Sequence, residues 1–156
     1  MTLLSITNLS LAIHSFSILR NITLSVASGE IVAVTGESGS GKSMTALAAM
    51  QLLPTGAQAK GHVMLGDRDL LKLPEKDLCG IRGNEIGMVF QEPMTALNPV
   101  QTIGQQVAET IRVHHPSVSR QAAHAKAIAT LERVGLPVDQ FPLSRFPHEL
   151  SGGQRQ

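Results

Sequence analysis

The stretch from Glu30 to Met50, "EIVAVTGESGSGKSMTALAAM", constrains the fold more than any other part of the chain. It opens with a continuous apolar run, "IVAV", which is typical of a buried central strand covered on both faces. A glycine-rich loop follows, and after it comes "SMTALAAMQLL" (43–53), which is rich in helix formers and is bounded by Pro54 and Gly56. A strand that leads through a glycine loop into a helix predicts a layered α/β fold.

The glycine-rich loop fits the pattern G-x-x-x-x-G-K-[ST] at its fixed positions, and each residue type has a physical role. Glycines allow a tight turn that aims backbone N–H groups at phosphate oxygens, and the following helix adds its positive end. Lys42 brings a mobile cation to the outer phosphates, and the Ser43 hydroxyl can ligate Mg²⁺. A glycine–serine turn with an incidental lysine is the alternative, but the strand before and the helix after favour a nucleoside triphosphate site. The predicted nucleotide-binding residues are Gly36, Ser38, Gly39, Ser40, Gly41, Lys42, Ser43 and Met44, and Lys42 is also assigned a catalytic role.

The rest of the sequence divides into a strand-rich part and a helical part. Apolar or alternating runs bounded by turn residues predict strands at 3–13, 22–26, 62–66 and 85–90, besides 30–36. From Thr102 onward the pattern is helical, with Ile103, Val107 and Ile111 four residues apart on one face. A second helix is predicted to open on an N-cap at Ser119 and to close at Gly135.

The composition argues against several classes of function. Thirteen basic and twelve acidic residues give a net charge of +1, and there is no Trp or Tyr, so the chain has neither the charge nor the stacking surface of a nucleic-acid binder. Cys79 is the only cysteine, which excludes an intrachain disulfide. His114 and His115 adjoin Pro116 without an acidic companion at ligand spacing, which favours a solvated turn over a metal site.

The location of the protein is predicted from the absence of two signals in the sequence. No apolar run approaches the roughly 20 residues needed to cross a bilayer. The N-terminal segment "MTLLSITNLSLAIHS" lacks the basic flank of a signal peptide. We therefore expect a cytoplasmic protein that reaches a membrane only through a partner.

Two further motifs follow the glycine-rich loop. "MVFQEP" at 88–93 is an apolar run that ends in Gln91, and "LSGGQ" at 150–154 is a second glycine cluster. With the first loop, and in the same order, they resemble the Q-loop and the signature of ATP-binding-cassette (ABC) proteins over essentially the whole chain. The resemblance implies an α/β fold with a RecA-like P-loop core, an antiparallel β subdomain and an inserted α-helical subdomain. Residues 1–90 would form the N-terminal part of the core, and residues 91–156 the Q-loop and the helical subdomain.

The same resemblance implies roles for these motifs. The signature of one copy covers the ATP held by the P-loop of another, which implies a dimer with a second cassette, separate or fused. Ser151 can cap a helix, and the glycines after it let backbone N–H groups approach a phosphate closely, although "SGGQ" alone would favour a flexible exposed loop. Gln91 would contact Mg²⁺ alongside Ser43 and help to place the attacking water, as a catalytic residue. The signature residues that would act on the partner's nucleotide are Ser151, Gly152, Gly153 and Gln154.

The flanking sequences narrow the resemblance. "FQEPMTALNPVQTIGQQVAE" and "FPHELSGGQRQ" are similar to the ATP-binding subunits of bacterial importers for oligopeptides, dipeptides and nickel, including fused microcin C-type peptide importers. This similarity implies ATP hydrolysis coupled to import, membrane-spanning permease subunits as partners, an indirect link to an extracytoplasmic solute-binding protein, and a place on the inner face of the cytoplasmic membrane. Segment 91–110 would receive a coupling helix of the permease, although the composition of "EPMTALNP" (92–99) alone favours a plain turn-rich loop.

Some features depart from the family pattern. In the family an aromatic ring normally stacks on adenine. Because the chain has no Tyr or Trp, Phe16 is the nearest candidate for this role, and Ile13 is another by its spacing. The family's catalytic Glu and switch His follow the signature, so we expect the chain to be the N-terminal part of a cassette, truncated there, with negligible ATP hydrolysis of its own. Two other functions stay open: a non-transport ABC ATPase free of the membrane, and a non-hydrolysing nucleotide-dependent interaction module.

Overall fold

The chain divides into two compact units, Met1–Arg82 and Gly83–Gln156. The structure, a computed structural model, describes residues 2–90 and 96–155. Strands fill much of the first unit and helices the second. The predicted α/β class, with an antiparallel sheet and a helical part, is confirmed.

An antiparallel sheet is the frame of the first unit. Its strands are β1 (Thr2–Ile13), β2 (Phe16–Ala27), β3 (Ala57–Leu65) and β4 (Arg68–Asp69), in the order β2-β1-β3-β4. The hairpin between β1 and β2 turns at His14, which has a φ of 53°. The strands contribute the buried side chains Ile6, Leu9, Leu11, Leu19, Val63 and Leu65.

The predicted central strand at 30–36 is not formed, and the prediction was wrong. Residues 31–37 carry no strand assignment, and Ile31 is 96% exposed. The predicted strand at 85–90 is also absent, apart from a bridge at Ile86, and Val89 is 84% exposed. An apolar run expresses a preference for burial, but a strand also needs a neighbour for its backbone hydrogen bonds. The four-stranded sheet does not pair with either run.

Helix α1 (Lys42–Ala49) begins at the glycine-rich loop and ends four residues before the predicted end. Gln51 follows it in the left-handed region with a φ of 54°. The N–H of Gln51 donates to Ala48 O at 3.1 Å, and that of Leu52 donates to Leu47 O at 2.9 Å. These two bonds form a Schellman motif, which ends a helix by turning the chain back on its last carbonyls. After α1, the first unit closes with a 3₁₀ turn (Leu70–Lys72) and α2 (Glu75–Ile81).

Two longer helices organise the second unit. Helix α3 (Ile103–His114) starts with a capping box at Thr102, and α4 (Arg120–Arg133) starts where Ser119 accepts a hydrogen bond from Ala122 N at 3.2 Å. The predicted N-cap at Ser119 is therefore confirmed. The unit ends with a 3₁₀ turn (Pro147–Glu149) and α5 (Gly152–Arg155). Its apolar core contains Ile103, Leu131, Leu143 and Leu150, with Leu97, Val107, Ile128, Leu136 and Phe141 packed around them.

Asp69 on β4 ties the edge of the sheet to the turn that follows. Its Oδ1 accepts from the backbone N–H groups of Val63 and Leu71, both at 3.3 Å. Its Oδ2 lies 2.8 Å from Nδ1 of His62 and 3.2 Å from Nζ of Lys72. Partial burial raises the pKa of Asp69, but the hydrogen bonds from these groups outweigh it and hold the pKa below its usual value.

Replacing Asp69 with asparagine is expected to lower the free energy of unfolding by about 1–2 kcal/mol at neutral pH, because the charge-assisted contacts are lost. The pKa of Asp69 is lowered by folding, so the carboxylate stabilises the fold fully above its unfolded pKa of about 3.9. That stabilisation disappears as pH falls through the lower folded value. Urea denaturation of both chains at about pH 7 and about pH 3 measures the difference, which should shrink in acid. An equal difference at the two pH values would contradict this account.

Candidate functional site

The glycine-rich loop of residues 36–43 forms a tight curve at the start of α1. Ser40 N donates to Glu37 O at 3.2 Å, which closes a turn inside the loop. Gly41, the N-cap of α1, has a φ of 94° and a ψ of 4°, in the left-handed region that favours glycine. Residues 36–40 are all exposed, so the loop is open to a ligand.

The start of α1 lies directly against strand β2. A Cβ placed on Gly41 would lie 2.5 Å from Cδ2 of Leu19 and 3.6 Å from the carbonyl oxygen of Ile18. Leu19 is buried, so there is little room for it to move aside. The loop can sit this close to the sheet because position 41 has no side chain.

Lys42 turns its ammonium back over the loop. Its Nζ donates to the carbonyl oxygens of Gly36 at 2.8 Å and Glu37 at 2.7 Å, and lies 3.4 Å from Oγ of Ser40. The side chain is half-buried, so the charge is held at the loop and not free in solvent. A cation is therefore already in place where the loop curves.

The first turn of α1 is suited to an anion. It contains no acidic residue, and the helix supplies unpaired N–H groups and the positive end of its dipole. The Ser43 side chain in this turn is exposed, and among the described residues nothing hydrogen-bonds to its hydroxyl. Met44 is half-buried behind it, and Thr45 is buried with its Oγ1 donating to Gly41 O at 3.0 Å.

Phe16 is an exposed ring on the strand that packs against this loop. It opens β2 and is 73% exposed, which is unusual for an aromatic side chain. Two residues later on the same strand, the carbonyl of Ile18 faces Gly41. Two strand residues span about 7 Å. Ile13, paired with Phe16 across the hairpin, is half-buried, so of the two candidates Phe16 presents more surface to a planar ligand.

The second glycine cluster forms the exposed end of the second unit. Ser151 Oγ lies 3.4 Å from Gln154 N, and Gln154 Oε1 accepts from Ser151 N at 2.8 Å, which is the reciprocal arrangement of a capping box. Gly152 and Gly153 are exposed, and a Cβ on Gly153 would have no heavy atom within 4 Å. The structure thus presents these residues in a capped turn. Gln91 lies outside the described residues.

A groove of about 800 Å³ lies beside α3 in the second unit. Its walls carry Arg112 from α3 and Arg120 from the start of α4, and Glu109 is the acidic side chain among the described residues that line it. Leu143 and Gly104 contribute apolar surface to it. The groove is therefore large enough for a peptide segment and carries excess positive charge.

Two further features, a membrane-spanning helix and a metal-binding cluster of side chains, are absent from the described residues. Across residues 2–90 and 96–155, no helix combines the length and apolar character needed to cross a bilayer. In the same ranges, no cluster of three or more His, Cys, Asp or Glu side chains could hold a metal ion.

The loop, its lysine and the helix that follows lie together as expected for a phosphate-binding loop, although the strand expected before the loop is not formed. The profile of the family described as ABC transporter matches residues 19–156, and the chain belongs to that family. The oligopeptide transport ATP-binding protein OppD of Mycobacterium tuberculosis is 46% identical over 158 residues, which cover 99% of this chain and 26% of OppD. The probable D,D-dipeptide transport ATP-binding protein DdpD of Escherichia coli K12 is 50% identical over 140 residues, which cover 88% of this chain and 42% of DdpD.

The fold is also similar to solved structures. A protein described as the ATP-binding cassette MJ0796 in a dimeric, post-hydrolysis state bound to ADP and Pi superimposes with a TM-score of 0.79 at 26% identity. The match covers 97% of this chain and 65% of that one. The chain spans about a quarter of the length of OppD and about two fifths of the length of DdpD.

Proposed function

We propose that the chain is part of the ATP-binding subunit of a bacterial ABC importer for peptides or a related solute. The observation that carries the proposal is the position of Lys42, with its ammonium held over an open loop at the N-terminus of α1. A triphosphate brings several negative charges to one place, which matches a loop that gathers N–H groups and one cation. Phe16 is proposed to stack on the adenine.

Mg²⁺ is proposed to bind with the nucleotide. The exposed Ser43 hydroxyl is the protein ligand that the described residues offer, together with phosphate oxygens. This fits Mg²⁺, which usually keeps few protein ligands beside substrate phosphates and water. When bound, the ion neutralises charge on the phosphates. Gln91 is proposed as a further Mg²⁺ ligand and as the residue that positions the attacking water.

A second cassette is proposed to complete the site. The solved relative is described as dimeric, and in the capped turn of Ser151 to Gln154 the exposed Gly152 and Gly153 would offer their backbone N–H groups to a nucleotide on another copy. We propose that hydrolysis of ATP by the whole protein drives transport. Residues 1–90 and 91–156 would belong to its core and its helical subdomain respectively.

The groove beside α3 is proposed to receive a short cytoplasmic segment of a membrane-spanning permease. It includes residues from Val100 to Arg112, which overlap the segment expected to contact the permease, and it adds Arg120. The names of OppD and DdpD, both transport ATP-binding proteins, favour this reading over an ABC ATPase that works away from membranes. The protein would then lie on the inner face of the cytoplasmic membrane, linked indirectly to an extracytoplasmic solute-binding protein.

Titration calorimetry tests the nucleotide half of the proposal. The chain is expected to bind ATP in the presence of Mg²⁺ and to ignore adenosine, because the loop recognises phosphates. Adenosine binding as tightly as ATP, or no heat with either, would refute it. Co-purification with the membrane-spanning subunits of an importer tests the transport half, and their absence from the complex would favour a function away from the membrane.

A further inference from the structure

The far end of the P-loop helix is held by a side chain that lies outside the motifs. Helix α1 ends in a Schellman motif whose left-handed position is Gln51, where glycine is the usual residue. A non-glycine residue in this conformation is strained and persists when its surroundings fix it. Side-chain hydrogen bonds around Gln51 provide that support.

Arg82 donates two of these hydrogen bonds. Its Nε donates to Met50 O at 2.8 Å, and its Nη2 donates to Gln51 O at 3.0 Å. Both contacts are made to carbonyls at the C-terminal end of α1, where a cation also suits the helix dipole. The Gln51 side chain adds a third tie, with Nε2 donating to Leu70 O at 3.1 Å.

The guanidinium of Arg82 is itself anchored by Glu75 on α2. Nη1 and Nη2 donate to the two carboxylate oxygens of Glu75, the second at 3.3 Å. The Arg82 side chain is 17% exposed and the Glu75 side chain 68%. These hydrogen bonds from Arg82 hold the pKa of Glu75 below its usual value. Arg82 thus joins α2 to α1 with a planar group that fits all of these acceptors at once.

Because α1 is short, the position of its C-terminal end affects the position of its N-terminal end, where the proposed nucleotide site lies. The helix has 8 residues, which corresponds to about 12 Å. A rigid rod this short transmits a shift at Met50 to Lys42 and Ser43 at its opposite end. We propose that Arg82 is a positioning residue for the nucleotide site, which acts by fixing the C-terminal carbonyls of α1. This inference rests on the proposed nucleotide-binding function.

A set of variants separates the carbonyl contacts from the ion pair. Glu75→Gln removes the charge partner and leaves the donors of Arg82 to α1 intact. Arg82→Gln removes the bond to Gln51 O and the positive charge that strengthens the bond to Met50 O. The exchange E75R with R82E restores an ion pair between the two positions but puts an acceptor, which cannot bond to carbonyls, at position 82.

The measurement is the affinity of each full chain for a fluorescent ATP analogue with Mg²⁺, taken well below the unfolding midpoint of that variant. We expect Arg82→Gln to weaken binding about tenfold, the equivalent of one charge-assisted hydrogen bond. Glu75→Gln should change it less than about threefold, and the exchange variant should stay as weak as Arg82→Gln. Wild-type affinity in Arg82→Gln with a lowered unfolding midpoint would reduce Arg82 to a role in stability and overturn the proposal, as would full recovery in the exchange variant.

Hydrogen exchange provides a readout that does not depend on nucleotide. In Arg82→Gln, we expect faster exchange of the Thr45 amide, which donates to Gly41 O at 2.9 Å at the start of α1. Faster exchange confined to Gln51 and Leu52 would overturn the positioning role. If the wild-type chain binds no nucleotide, the proposed function fails, and this exchange pattern still decides whether Arg82 acts across the helix. Arg82→Lys, which keeps the cation but not the fork, serves if Arg82→Gln does not fold.

Discussion

Replacing Lys42 with alanine is expected to weaken the binding of Mg²⁺-ATP by roughly a hundredfold, because charge-assisted hydrogen bonds to the outer phosphates are worth about 1.5–3 kcal/mol each. The fold should change little, since the side chain is only half-buried and its partners are exposed carbonyls that water can satisfy. Titration calorimetry with ATP, supported by a thermal melt of each variant, measures both effects.

Lys60→Ala is the matched control for this substitution. Lys60 is exposed on β3 and its loss changes the net charge by the same amount. Nucleotide affinity in Lys60→Ala should stay close to that of the wild type, because a distant exposed charge is screened by salt. Equal losses in Lys42→Ala and Lys60→Ala would mean that binding follows overall charge, and the assignment of Lys42 would then be wrong.

Replacing Gly41 with alanine is expected to lower the free energy of unfolding by about 2–5 kcal/mol. The left-handed backbone costs about 1–2 kcal/mol for any residue with a Cβ, and pressing a methyl group against buried Leu19 adds about 1–3 kcal/mol. The new Cβ would lie 2.5 Å from Cδ2 of Leu19. Because the loop must move away from β2 to relieve this contact, nucleotide binding should weaken as well.

Gly39→Ala isolates the contact from the backbone strain. Gly39 has a φ of 80°, but a Cβ there would have no heavy atom within 4 Å. Its loss of stability should therefore stay near 1–2 kcal/mol, the cost of the left-handed conformation alone. Urea denaturation of both variants gives the comparison, and a Gly39→Ala chain that is as unstable as Gly41→Ala would exclude packing against Leu19 as the cause.

Local patterns in the sequence predicted the local features of the structure. The helix that follows the glycine loop, the N-cap at Ser119 and the core positions Ile103 and Val107 each depend on residues within one or two turns of one another. Strand pairing depends on distant segments, and it limited the strand predictions. The strands predicted at 3–13, 22–26 and 62–66 overlap β1, β2 and β3, but those at 30–36 and 85–90 are not formed. The apolar run from Ile31 to Val34 indicates burial, but it cannot say which neighbour would supply the hydrogen bonds.

The hydrogen bonds at the C-terminal end of α1 also could not be predicted from local sequence. Gln51 gave no sequence signal for a left-handed position, because that conformation is usually taken by glycine or asparagine. Arg82 bonds to its carbonyl from 31 residues away, so no local pattern contains the pair. The early end of α1, four residues before the predicted one, follows from these distant contacts. The roles of Gln91 and of the residues from Ser151 to Gln154 stay predictions.

The hydrogen bonds of Lys42 to its own loop have a consequence for selectivity. Because the ammonium already has two carbonyl partners at 2.8 and 2.7 Å, an incoming anion must exchange with them and gains only the difference. A small anion such as chloride interacts with too few groups of the loop to compensate for the loss of these two hydrogen bonds. A polyphosphate, which occupies several N–H groups simultaneously, recovers the loss elsewhere along the loop. We therefore expect the loop to favour a polyphosphate over the abundant simple ions of the cell.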